Sequence, residues 1–183
     1  MHITKSIISF IIFPLAQSLP QKHQPKNEFQ ITALNGKFPV SGPYGTGPIE
    51  SSLSVTINYP DLSTSGSALS TTCSHSWPAG TPPGPTNWTA CKSPAVQWRL
   101  PAAGWHSISN YRVEFWASNS NGTGSHATQD LTQNPSKQND PNAFLSCLQM
   151  GKTTPQMCQL NGPLSAHAGP VVIPGRKAKS RPN

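Results

Sequence analysis

Between Ser52 and Ile57 polar and apolar residues alternate without a break. Leu53, Val55 and Ile57 fall on one side, Ser52, Ser54 and Thr56 on the other. A period of two is the pleat of a half-buried strand, whereas a helix would scatter the same three apolar side chains around its cylinder. The pattern spans Glu50 to Asn58 and recurs along the chain. Glu28 to Leu34 places Phe29, Ile31 and Ala33 on one face, and Val96, Trp98 and Leu100 repeat the alternation. Ile108 to Ala117 sets Tyr111, Val113 and Phe115 against Arg112, Glu114 and Trp116, with Arg112 and Glu114 spaced for a surface ion pair. Shorter strands are expected over 68–73, 126–131, 144–149 and 157–160. No segment shows a convincing helical period.

The 20 prolines and 14 glycines fall in clusters between these segments, as turns between strands require. Gly36 to Pro48 (GKFPVSGPYGTGP) reads as a loop that no helix could occupy, and Ser118 to Ser125 (SNSNGTGS) as a turn. The expected fold is all-β, a small disulfide-stabilised barrel or sandwich with long Pro/Gly-rich loops.

The ends read differently. Residues 1–18 have the layout of a secretory signal: Lys5, then the apolar run Ile7 to Leu15, then Ala16-Gln17-Ser18 as a cleavage site. The apolar run falls short of the roughly 20 residues a membrane helix needs, and no later segment is apolar enough to cross a bilayer. Residues 19–27 form a polar linker, 28–161 the β domain, and 162–183 a basic tail with little to pack, expected to be disordered. The protein is therefore expected outside the cell.

Cys73, Cys91, Cys147 and Cys158 are an even set, and an oxidising compartment pairs them. Of three connectivities, Cys73–Cys91 with Cys147–Cys158 is favoured, because each pair brackets one turn-rich segment. No two are spaced C-x-x-C, so zinc is disfavoured, and neither metal nor cofactor is expected.

The formal charge of +7 resembles a nucleic-acid signal until it is located. From Phe29 to Ser165 six basic residues meet five acidic ones, and the surplus lies at the two ends. A nearly neutral domain has no basic face with which to hold phosphates. Arg176-Lys177 in the tail also has the form of a processing site.

Two N-glycosylation triplets begin at Asn87 and Asn121, the second in the more open turn. No nucleophile elbow, metalloprotease helix or phosphate loop is present, and no catalytic residue is assigned. Two other classes have specific residues behind them. A small ribonuclease-like enzyme uses His, Glu and Arg together; the chain has His75, His106, His126 and His167 with Glu114, Arg99 and Arg112. Glu114 beside Arg112 would be the general base with its phosphate-binding partner, though no His stands at a spacing tied to Glu114. A carbohydrate-binding module would stack sugars on Trp77, Trp105 and Trp116.

The order S-L-S-V-T-I (52–57), T-T-C (71–73), W-T-A-C (88–91) and V-Q-W-R-L (96–100), with a second close cysteine pair at Cys147 and Cys158, resembles the secreted fungal family typified by the Alternaria major allergen. The resemblance covers roughly Glu28 to Leu160. It implies a compact β-barrel with two local disulfides, secreted by a fungus, whose members are allergens or are perceived by plants during infection. It implies no shared enzymatic activity. The partners expected are a host extracellular protein or a cell-wall polysaccharide. The type member has a further cysteine near its mature N-terminus that links a dimer; this chain lacks it, so no covalent dimer is expected. Trp88, three residues before Cys91, is expected to cover the bridge or pack in the core. The recognition surfaces expected are the loops Gly36–Pro48 and Trp77–Asn87.

Overall fold

The computed structural model describes residues 27–40, 45, 49–63, 68–137 and 139–183. The expected signal segment, nearly all of the expected polar linker, and residues 41–44 and 46–48 of the expected Gly36–Pro48 loop lie outside the described residues. The chain forms two antiparallel sheets that face each other, an all-β sandwich rather than a closed barrel.

The first sheet is built on β1 (Glu28–Phe38), β2 (Ser51–Pro60) and β3 (Ala68–Trp77), with β9 (Leu145–Gln149), β10 (Gln156–Leu160) and β11 (Val171–Pro174). Its order is β3-β2-β1-β10-β9, and β11 also pairs with β1. The second contains β4 (Thr89–Ala90), β5 (Val96–Arg99), β6 (Trp105–Ser107), β7 (Asn110–Ser118), β8 (Gly124–Thr132) and β12 (Arg176–Ala178). Its order is β12-β8-β7-β5-β4, with β6 beside β7. A single 3-10 turn, Ala102–Gly104, is the helical element among the described residues.

The core lies between the sheets, where the alternation placed it. Leu53, Val55 and Ile57 are fully buried, as are Val96, Trp98, Val113 and Phe115. Phe29 and Phe115 stack across the gap with ring centroids 6.4 Å apart. At one end of the core Phe38, Trp77, Trp105 and Tyr111 form a ring cluster; Trp105 stacks on Tyr111 at 5.1 Å and meets Trp77 edge-on at 6.1 Å.

Two expectations are corrected. First, β1 runs four residues beyond Leu34, so Gly36 to Phe38 is strand rather than loop. Its register shifts between Ile31 and Ala33. The shift turns Leu34 and Phe38 into the core and leaves Ala33 only half-buried, because an extra residue in one strand exchanges its two faces. Second, residues 162–183 are not a disordered tail. Val171 and Ile173 are buried, and β11 pairs with the first half of β1. After Gly175 the chain changes sheets and pairs with β8 as β12. Gly175 is needed at that corner, since a Cβ would lie 2.5 Å from Ser125 Oγ and 2.8 Å from Asn27 O. The Arg176-Lys177 pair lies within β12 and is exposed.

Both favoured disulfides are present. Cys73–Cys91 joins β3 to the residue after β4, and so ties the two sheets together. Cys147–Cys158 links directly opposed residues of β9 and β10.

Candidate functional site

Alternation that fills the core also decides which polar groups share the outer faces. On the second sheet Val113 and Phe115 point inward, which leaves Arg112, Glu114 and Trp116 on the outside. The cross-strand partners are set by register. Glu114 lies opposite Arg99 of β5, Arg112 opposite Asp130 of β8, and Trp116 opposite Gln97 and His126.

The pairs follow this register and not the chain. Arg99 Nε donates to Glu114 Oε2 at 2.7 Å, and both side chains are largely buried. Arg112 forms a two-pronged pair with Asp130, at 2.7 and 3.1 Å. The expected Arg112–Glu114 pair is thus replaced by two cross-strand pairs. Opposed residues are neighbours in a sheet, so each carboxylate takes the guanidinium beside it.

His126 completes a cluster. Its Nε2 is 3.8 Å from Glu114 Oε2, and Arg176 of β12 is its register partner on the other side. Burial holds the imidazole below its ordinary pKa; Glu114 pulls the value back up, while Arg99 and Arg176 push it down. The other three histidines among the described residues are elsewhere. His75 stacks on Trp77, His106 is exposed on β6, and His167 packs on Phe144 with Nε2 2.6 Å from Asp140 O.

Trp88 does not enter the core. It is half-buried on the outer face, with the Arg99 guanidinium 4.5 Å from its ring centroid and His126 edge-on at 5.9 Å. Residues at the end of the sequence lie over this cluster. The Trp88 indole N–H donates to Pro182 O at 2.8 Å, and an Arg99 terminal N–H donates to Asn183 O at 2.7 Å. Arg181 donates to Gln97 Oε1.

The expected sugar platform is not assembled. Trp77 and Trp105 belong to the ring cluster at the end of the core, Trp116 lies on the opposite side of its sheet, and Trp77 and Trp116 are buried. The Trp77–Asn87 loop is described and is pinned: Leu100 N donates to Pro85 O at 2.7 Å, and Thr81 N to Pro78 O at 3.2 Å. It exposes Pro78, Thr81, Pro82, Thr86 and Asn87. Asn87 and Asn121 are both exposed, as a glycan acceptor must be.

A surface depression of about 710 Å³ is lined by Asn134, Lys137, Asn139 and Asp140 among others. The Asp140 carboxylate is engaged by its own loop. It accepts from Asn142 N at 2.9 Å, Thr132 Oγ1 at 3.0 Å and Asn134 Nδ2 at 3.3 Å, which lowers its pKa. Among the described residues no group of three or more His, Cys, Asp or Glu is placed to hold a metal ion.

No known family, curated protein or solved structure matches the chain.

The Glu114–His126 proximity is not among the sequence-based expectations, although a signal for it exists. Ser118 to Ser125 reads as a turn. Counting outward from Ser118 opposite Gly124 brings Trp116 to His126, and Glu114 is then its diagonal neighbour.

Proposed function

We propose that this is a secreted, non-enzymatic fungal protein of the Alternaria major-allergen-like kind, an effector or elicitor acting at a host or cell-wall surface. The observation that carries this reading is the Trp77–Cys91 segment. It begins in a buried tryptophan, ends in a disulfide, and is pinned at Pro85, yet displays a row of polar and proline side chains. A loop held this way loses little entropy when it is recognised. Two disulfides suit an oxidising compartment.

The test is infiltration of the oxidised protein into plant leaves, with reduced and alkylated protein beside it. Cell death or an oxidative burst from the oxidised form alone is expected. Equal responses to both forms would point to a linear segment, and no response from either would remove the elicitor reading. Asn121 is proposed to carry a glycan, which mass loss on glycosidase treatment would reveal.

A second reading has its own observation, the convergence of Arg99, Glu114 and His126. A carboxylate, an imidazole and a guanidinium together are the groups a ribonuclease-like reaction uses. RNA cleavage that peaks with pH and disappears in Glu114→Gln would establish it.

A further inference from the structure

The residues after Ala178 leave the strand ladder and cross the outer face of the second sheet. β12 lies at one edge of that sheet, and β5 lies beyond β8 and β7. Arg181 already reaches Gln97 on β5, so the intervening residues pass over β8 and β7. Trp116 has an outward position on β7 and yet is 3% exposed.

The contacts have a common chemistry. The sheet donates to two main-chain oxygens of the crossing segment, from Trp88 and from Arg99, and accepts one cation, Arg181, at Gln97. Pro182 has no N–H to offer and favours an extended backbone, so the segment presents acceptors. The sheet side also has contacts of its own, besides those with the segment. Glu114 fixes Arg99, Arg99 and His126 flank the Trp88 ring, and the register places all of them. A site ordered before its ligand arrives loses less entropy on binding.

We propose that the face made by Trp88, Gln97 and Arg99 is a binding site for an extended basic peptide, and that residues 179–183 are its built-in occupant. The ligand class is a short proline-containing segment with an arginine ahead of the proline. A tethered occupant acts at an effective concentration on the order of millimolar, so an outside peptide gains entry when the segment is removed or weakened. This site is separate from the Trp77–Cys91 loop, and its fate does not depend on the elicitor reading.

The test uses a variant ending at Ala178, titrated with the synthetic peptide KSRPN. The Trp88 indole N–H is followed by NMR, with intrinsic tryptophan fluorescence beside it. A saturable shift of the Trp88 signal toward its position in the intact chain is expected, at least tenfold weaker when the intact chain is titrated. A peptide with alanine in place of arginine should bind at least fivefold more weakly. No saturable shift, or equal shifts from a scrambled peptide, overturns the proposal. If the shortened variant does not fold, the full chain carrying Arg181→Ala replaces it, because it keeps all of β12. Failure of KSRPN to bind there overturns the proposal equally.

Discussion

The Tyr111 hydroxyl is buried in the ring cluster and has no hydrogen-bond partner among the described residues. Burial also pushes its pKa well up, because the charged phenolate would be stranded. An unsatisfied hydroxyl is a cost, so Tyr111→Phe should raise stability by about 1 kcal/mol. Urea denaturation measures this, and a loss of stability would reveal a partner for the hydroxyl. His126 offers a second residue-scale prediction. Its folded pKa is depressed, so its contribution to stability is complete above the unfolded value of about 6.5 and is lost as pH falls through the folded value. The denaturation midpoint should therefore fall as pH is lowered from neutrality through that range, and His126→Gln should flatten the slope. An unchanged slope in the variant would assign the pH dependence to other groups. The candidate site is half legible at this scale. Glu114, Arg99 and His126 can each be named from the sequence, but chain proximity gives Glu114 the wrong arginine, since neighbours along a chain are not neighbours across a sheet.

At the scale of elements, β11 and β12 separate the observed fold from the expected one. Val171 and Ile173 are buried against β1, so Ile173→Ala should cost about 3 kcal/mol. A disordered tail would tolerate it without change, and thermal unfolding distinguishes the two. β8 depends on a close approach at its first residue. A Cβ on Gly124 would overlap Ala117 O and lie 2.6 Å from the Trp116 ring. The obstructing oxygen belongs to the backbone of the paired strand and cannot move aside cheaply. Gly124→Ala should therefore cost about 2 kcal/mol, with a matching fall in melting temperature. The tail reads as structureless for a physical reason. VVIP is only four residues long, is surrounded by proline and glycine, and has meaning as a strand only beside Phe29 and Ile31.

Across the whole molecule, the two disulfides have different roles. Cys147–Cys158 joins strands that the ladder already pairs, whereas Cys73–Cys91 fastens one sheet to the other at their edges. Replacing Cys73 and Cys91 together with serine should cost about 3 kcal/mol in loop entropy, seen as a lower denaturation midpoint. The alternation of Leu53, Val55 and Ile57 and of Tyr111, Val113 and Phe115 was sufficient to determine an all-β chain and most of its core. Bracketing of turns was sufficient to favour the right cysteine pairs. These are local signals, because side-chain direction in a strand repeats every two residues whatever lies opposite. Sandwich over barrel, the bulge that brings Leu34 inward, the partners of Glu114 and the course of residues 171–183 were decided by tertiary structure. Each depends on which strand lies next to which, and hydrogen-bond pairing between distant segments is not written in the residues of either one alone.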